Sequence, residues 1–374
     1  MTKVLDVDAA HLLDFIRVPG RLATRDPAWI EPLRFERRQF LSPKHNRLYD
    51  HAEIRLWIAE RAGETVGRIS AQVDRLAPPG PGGEKIGFFG MIAADGEETL
   101  RALLATAEAW LAEQNVKLVR GPFSLSVNQT SGLLVQGFDT PPYVMMDHHP
   151  EWLGQAVEAS GYAPAQDLVA YVMDTVGPLP AKERRLVERD WPGLLIRSLD
   201  MRRYRDEITT VTTIFNDAWS NNWGFIPLTE AEIDAMATEL KPILDPELVK
   251  IAEIDGEPVA FLVLLPNVNE AIADLDGRLL PFGWAKLLWR LKVQGIKTGR
   301  VPLMGVRRDF ADTLVGKTLP LRLIYAVEDR VHARGIREIE LSWLLEDNWP
   351  VRRVIERLGG QLSKVYRIYE KRLP

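Results

Sequence analysis

The chain contains no cysteine. That absence excludes disulfides, thiolate nucleophiles and zinc–thiolate sites, and it is compatible with a reducing compartment. Histidine is scarce, with 6 in 374 residues. The adjacent pair His148-His149 lacks the i, i+4 spacing that places two ligands on one helix face, so no metal is expected. No apolar, charge-free run is long enough to span a bilayer. Residues 1–8 have no apolar leader core, so no secretory signal is expected. The net charge of −5 provides no general attraction for nucleic acid, which is not an expected partner. The longest acid-free stretch is also basic. Between Asp276 and Asp309 there is no acidic residue, while Arg278, Lys286, Arg290, Lys292, Lys297, Arg300, Arg307 and Arg308 all fall there or at its edge.

What is present is ordinary globular material, 46% hydrophobic and 26% charged, long enough for two domains with separate cores. One supersecondary pattern occurs twice, about 200 residues apart, which means paired domains rather than a short-period solenoid. The first copy runs from a hairpin at Gly63-Glu64-Thr65-Val66-Gly67 through a helix over 99–113 and a strand over 116–121. It closes with a helix from Pro150 to Gly161. The second runs from Asp255-Gly256-Glu257-Pro258-Val259 through a helix over 318–334 and a strand over 336–343. It closes with a helix from Asn348 to Gly359. The pattern predicts an α+β chain of two domains, 1–177 and 193–374, joined by a charged connector from Pro178 to Pro192.

Residues 11–41 read as helices and turns, punctuated by Pro19-Gly20 and Asp26-Pro27. Alternation predicts a strand pair over 54–61 and 66–74 and a buried strand over 85–92. Leu100, Leu103, Leu104, Ala107 and Leu111 recur at helical spacing. The segment 124–147, ending in Asp147-His148-His149, is a long loop without an equal in the second copy, and loops of this length are often functional. In the second half a helix is expected over 204–219, then Ser220-Asn221-Asn222-Trp223-Gly224-Phe225. A further helix begins at Thr229 with Glu232 as its capping-box partner. A hairpin over 250–265 and a strand over 301–306 follow.

An insertion over 267–300 has no counterpart in the first half. On a helical wheel Trp284, Leu287, Leu288 and Leu291 share a face, Lys286, Arg290 and Lys297 lie opposite, and Phe282 and Trp289 add aromatic bulk. Such an amphipathic helix either lies in a membrane interface or packs on a core with a solvated basic face. The acid-free surroundings favour the interface, with Phe282, Trp284, Leu288 and Trp289 as contacts.

The strand–helix–strand–helix order, with Asn348 opening the last helix and Gly359 ending it, resembles the GNAT acyltransferase superfamily. Val351 and Ile355 stand at the intervening motif positions, so the usual Tyr is replaced by Ile355. Within that superfamily, Asp26-Pro27-Ala28-Trp29, Gly67-Arg68-Ile69, Gly121-Pro122-Phe123, Gly132-Leu133-Leu134-Val135, Gly137-Phe138 and Asn221-Asn222-Trp223-Gly224-Phe225 are similar to the GNAT-type bacterial ceramide synthases. The resemblance implies tandem GNAT-like domains and an acyl-CoA-dependent N-acyltransferase acting on a sphingoid base, 3-oxosphinganine. It also implies a cytoplasmic protein held peripherally at the inner membrane.

That chemistry requires a phosphate site, a polarised thioester carbonyl and an unprotonated amine. By position, the turn at Arg307, Arg308, Gly316, Lys317 and Thr318 would hold pyrophosphate, although the superfamily's glycine loop is not intact there. The matching loop of the first copy, Ala93 to Glu98, carries three acids and no base, so the second copy is expected to bind CoA. Backbone groups at Met304, Gly305 and Val306 would face the thioester, with Gly305 alternatively a packing glycine. Asn348 completes the CoA set. Glu346, Asp347, His148 and Asp147 are the base candidates, an Asp-His pair being able to orient an imidazole. Glu346 and Asp347 could instead cap a helix, and His148 could be a solvated loop residue. Tyr325, Tyr366 or water would protonate the leaving thiolate. Asn221, Asn222, Trp223 and Phe225 would close over the acceptor, or form a turn with a core Trp. Two rivals share the fold: an acyltransferase with another amine acceptor, and a non-catalytic pair that binds acyl-CoA or membrane.

Overall fold

The structure is a computed structural model describing residues 2–175 and 180–374. The expected domain end at 177, and Pro178 at the start of the connector, lie outside the described residues. The chain opens with β1 (Lys3–Asp6), α1 (Leu12–Leu22) and α2 (Arg34–Phe40), then a hairpin of β2 (Ala52–Arg61) and β3 (Glu64–Asp74). β4 (Ile86–Ala94), α3 (Glu97–Glu113) and β5 (Leu118–Gly121) form a crossover. Short strands β6 (Phe123–Ser124), β7 (Thr130–Ser131) and β8 (Leu133–Gln136) precede α4 (Trp152–Ala159) and β9 (Ala163–Asp174). Next come α5 (Ala181–Glu188), β10 (Leu194–Ser198), α6 (Tyr204–Trp219) and α7 (Glu230–Leu240). A second hairpin, β11 (Val249–Ile254) and β12 (Glu257–Pro266), follows. The chain ends with α8 (Val268–Ile272), α9 (Gly283–Trp289), β13 (Thr298–Val306), α10 (Arg308–Ala311), α11 (Leu319–Arg334), β14 (Glu338–Leu345), α12 (Trp349–Arg357) and β15 (Gln361–Arg372).

Two compact units result, and neither is one unbroken stretch. The first takes the chain up to Val169 together with Ile272–Trp284 and Ser363–Pro374; the second takes Ala170–Ala271 and Ala285–Leu362. In the first unit the sheet order is β1-β2-β3-β4-β5-β15, antiparallel except for the β4–β5 pair. The end of the chain thus supplies a strand to the unit that its beginning builds. Tyr369 and Leu373 explain this placement, because both are buried in the cluster formed by Leu100, Leu103, Leu104, Ala107 and Leu111 of α3. In the second unit the order is β10-β11-β12-β13-β14, with β13–β14 its parallel pair.

The repeat is visible in the turns. Ala62 and Gly63 have φ of 53° and 81°, Asp255 and Gly256 of 51° and 83°. Two consecutive left-handed residues make the mirror-image turn that matches strand twist. Each hairpin then leads into a parallel pair, which requires a long crossover, and α3 and α11 supply it. The Thr229–Glu232 capping box forms as expected.

Three expectations need revision. The segment 124–147 is a folded piece rather than a plain loop. It contains β7 and β8, and β8 pairs with β15 from Leu133↔Arg367 to Gln136↔Val365. The connector contains α5, and the carbonyls of Leu186 and Val187 in it and of Arg189 just beyond it accept hydrogen bonds from the Arg322 guanidinium of α11. In the insertion the helix stops at Trp289 and passes into a π-helical turn over Arg290–Gln294. Lys297 falls outside the helix, and Arg300 is a buried residue of β13 rather than part of a basic surface.

Candidate active site

Each unit contains a place where its two parallel strands could part, and the two places differ. In the second unit the β13–β14 ladder runs from Thr298↔Glu338 to Val301↔Leu341 and stops, while β13 continues to Val306 and β14 to Leu345. Below the opening, Arg300 donates from Nε to the Ser342 hydroxyl at 2.9 Å, and that hydroxyl donates to Glu340 at 2.7 Å. Arg300 and Glu340 face each other across the last rungs, 3.6 Å apart and buried. This buried pair holds the vertex of a split. In the first unit the ladder stops at Phe88↔Arg120, but the chain then closes over it. A Cβ on Gly90 would lie 1.6 Å from the Phe123 carbonyl oxygen, and one on Gly121 would lie 2.3 Å from that of Phe89. In the first unit the backbone itself occupies the space beside the end of the parallel ladder.

The open strand edge has donors. The Arg307 N–H donates to the Val259 carbonyl at 2.8 Å. Antiparallel bonds alternate, so Gly305 bonds to β12 while Met304 and Val306 turn their backbone groups to the opposite edge, the edge of the split. Of the three residues expected to face a thioester, Gly305 is therefore the exception. It serves packing, since a Cβ there would meet Phe261 at 3.0 Å and Ala218 of α6 at 3.2 Å. Trp219 lies against the same strand, its indole N–H 3.4 Å from the Met304 carbonyl oxygen.

The expected pyrophosphate turn is largely committed to itself. The N–H groups of Gly316, Lys317 and Thr318 donate to the Thr313 hydroxyl, the Thr313 carbonyl and the Val315 carbonyl. Gly316 is required sterically, because a Cβ would stand 1.8 Å from the Phe310 carbonyl oxygen. Arg307 is paired with Glu257 and Asp309, and Arg308 with Asp217. The Lys317 side chain is exposed. Glu346 and Asp347 are exposed just past the end of β14, at the open end of the split, and Asn348 makes no side-chain cap to α12. Asn221 and Asn222 are exposed, while Trp223 and Phe225 are half-buried, with Phe225 packed on Phe215 at 5.8 Å.

The first unit holds a buried polar cluster of another kind. His148 is not a solvated residue and does not pair with Asp147. Its Nε2 lies 2.8 Å from Asp26, and its Nδ1 is buried without a partner. Asp147 instead accepts from the Ser124 hydroxyl at 2.8 Å, while its carbonyl accepts from Tyr366 at 3.0 Å. Asp26 fixes the tautomer: Nε2–H donates, and Nδ1 keeps its lone pair. His149 accepts at Nδ1 from the Leu134 N–H, and burial pushes its pKa down to about 4, so it is neutral at pH 7. Arg68 is half-buried, its guanidinium over the Phe15 ring at 5.1 Å, and loss of water around it lowers its pKa to about 10. Tyr366 is thus engaged in the first unit, whereas Tyr325 lies on α11 in the second. Sequence reading overlooked Asp26, Arg68, Arg300 and Glu340 in these roles. Asp26-Pro27 reads as a turn, and only its partner 122 residues away gives the carboxylate a function.

At 50% identity over 366 residues, the chain matches the bacterial ceramide synthase of Caulobacter vibrioides, across 97% of this chain and 95% of that one. The chain belongs to the bacterial ceramide synthase family. Protein YghO of Escherichia coli is 45% identical over 361 residues, 96% of this chain and 92% of its own length. No family model matches. Among solved structures, a tandem GNAT protein from the clavulanic acid biosynthesis pathway aligns with a TM-score of 0.58 at 12% identity, covering 100% of this chain and 98% of its own. A GCN5-related N-acetyltransferase from Sphaerobacter thermophilus aligns at 0.55 and 14% identity, covering 99% and 95%. At such identities these likenesses concern the fold, which is the tandem GNAT fold, α+β. Membership of the family makes the protein an acyltransferase.

Proposed function

We propose that the protein transfers a fatty acyl group from acyl-CoA to the amine of a sphingoid base, 3-oxosphinganine, forming the amide of a ceramide. The observation that carries this reading is the match to a named bacterial ceramide synthase along nearly the whole chain. The split of the second unit is the feature suited to acyl-CoA, because its first-unit counterpart is filled by backbone. Donors at Met304 and Val306 would polarise the thioester carbonyl, where charge develops in the transition state. With the turn's N–H groups committed, the Lys317 ammonium is the group left to meet the phosphates.

We assign the general base to His148. An ordinary imidazole titrates nearer neutral pH than an ordinary carboxylate, and Asp26 presents Nδ1 as the acceptor. In this reading Glu346 and Asp347 are not the base. Membrane contact belongs to the same proposal. Leu280 and Phe282 are each 78% exposed and Trp289 is 60%, with Trp284, Leu288 and Val293 also exposed, among basic residues and no acid. No helix of the described residues is long and apolar enough to cross a membrane. Contact would therefore be peripheral, at the cytoplasmic face.

The test is a mass-spectrometric assay with palmitoyl-CoA or a shorter acyl-CoA and 3-oxosphinganine or sphinganine. Amide formed in step with free CoA is the expected result. Acyl-CoA binding with no amide on any sphingoid base would overturn the ceramide reading in favour of another amine acceptor.

A further inference from the structure

Both chain neighbours of His148 are held by one rung of the sheet. Leu134 of β8 and Tyr366 of β15 are paired partners. The Tyr366 hydroxyl donates to the Asp147 carbonyl at 3.0 Å, and the Leu134 N–H donates to Nδ1 of His149 at 3.2 Å. The residue before His148 and the residue after it are thereby tied to the same pair of strands. Asp147 is held a second time, its carboxylate accepting from the Ser124 hydroxyl at 2.8 Å. Between these anchors the His148 ring meets Asp26 at 2.8 Å. All of these residues belong to the first unit.

The rung is closely fitted. Tyr366 is fully buried. Gly132 and Gly137 stand on either side of β8 with φ of 84° and 88°. A Cβ on Gly132 would lie 2.8 Å from the Tyr366 Cβ, and one on Gly137 would lie 2.3 Å from the Ser363 carbonyl oxygen. Glycine at both places lets the chain turn and lie directly on β15. Lys364, two residues before Tyr366 and also buried, donates from Nζ to the carbonyls of Gly137 and Thr140 and to the Thr140 hydroxyl. Side chains of one strand therefore hold both ends of the segment 137–147 that leads to His148. A general base works only with its lone pair within hydrogen-bond reach of the proton it takes, so the orientation of the ring matters as much as its basicity.

We propose that Tyr366 is a positioning residue for His148. By holding the Asp147 carbonyl it keeps the imidazole on Asp26, with Nδ1 presented as the acceptor. The catalytic consequence rests on the assignment of His148 as the base. In this role the Tyr366 hydroxyl hydrogen is given to the Asp147 carbonyl, so Tyr366 is not the acid that protonates the leaving thiolate.

The test is Tyr366→Phe in the full chain, which removes one hydroxyl and keeps the ring against Gly132. Histidine-selective 15N labelling and NMR read the His148 ring without substrate, its signals identified by their loss in His148→Gln. The native chain should show a protonated Nε2 in slow exchange with water and a bare Nδ1. In Tyr366→Phe that proton should exchange roughly tenfold faster, the effect of losing one hydrogen bond of ordinary strength. In turnover, kcat should fall roughly tenfold with KM within about threefold. Ser124→Ala, which removes the second hold on Asp147, should act in the same direction and serves if Tyr366→Phe folds poorly. A lower melting temperature with native exchange of the His148 proton in both variants would make Tyr366 a packing residue only and overturn the proposal. So would a His148 ring in the native chain with no protected proton. Faster exchange with unchanged kcat would keep the positioning role and remove His148 as the base. A chain that acylates no sphingoid base fails the ceramide reading and leaves the NMR result standing.

Discussion

His148 has one ring nitrogen tied to Asp26 and the other bare, and that asymmetry determines what substitution should do. His148→Gln should lower kcat by about 10²–10⁴-fold, the usual worth of a positioned base, with a smaller change in KM. Asp26→Asn should also lower kcat, because an amide can favour the wrong tautomer. Glu346→Gln and Asp347→Asn should stay within about threefold of the native rate, since the base is assigned elsewhere. Steady-state kinetics on the four variants decides the assignment; a dead Glu346→Gln beside an active His148→Gln would reverse it. The neighbouring His149 sets a different expectation. Its folded pKa of about 4 lies below the ordinary imidazole value near 6.5, so the unfolded chain binds the extra proton first as pH falls. Stability should be level above about pH 6.5 and should decline toward pH 4, by roughly 3 kcal/mol from this group alone. Urea midpoints at pH 7 and pH 5 should therefore differ, and by less in His149→Asn.

At the scale of elements, the two parallel pairs make opposite demands on their glycines. Gly90 lies against backbone, so Gly90→Ala should destabilise by more than about 2 kcal/mol because nothing beside it can turn away. Gly305 faces the Phe261 ring at 3.0 Å and the Ala218 methyl at 3.2 Å, contacts that a few tenths of an ångström relieve, so Gly305→Ala should cost less than about 1.5 kcal/mol. Chemical denaturation of both variants checks the contrast, and equal losses would mean that the two sites are equally closed. At the vertex of the split, Glu340→Gln should cost about 3–5 kcal/mol, since it removes the carboxylate that faces the buried Arg300 charge. Helix entry was legible from residues alone. Thr229 and Glu232 stand three apart before an amphipathic run, and the box forms. The helices over 204–219 and 319–334 were legible too, because 3.6-residue periodicity is a local property. Strand β14 lies two residues later than expected, since its ends are set by pairing with β13 rather than by its own alternation.

For the whole molecule, the testable consequence of the insertion is membrane binding. Replacing Phe282, Trp284 and Trp289 with Ser should reduce co-sedimentation with vesicles rich in anionic lipid by roughly tenfold, and salt should weaken the native interaction. Unchanged sedimentation would leave the exposed aromatics without this role. The paired architecture, the acyltransferase fold and the family were all written in the chain. Hairpin turns need Gly at left-handed positions, crossover helices need a 3.6 period, and 50% identity over nearly the whole length preserves both. The site was legible only where its residues are neighbours in sequence. Asp147 beside His148 suggested a pair, but the imidazole turns to Asp26 instead. Two further facts came only from the fold: the last strand joins the first unit, and backbone fills the space beside the parallel pair of that unit. Local sequence encodes what a segment will become, because propensity and periodicity act over a few residues. Which distant carboxylate meets an imidazole, and which sheet edge receives a strand, depends on how the buried faces close over one another, and only the folded chain makes that choice.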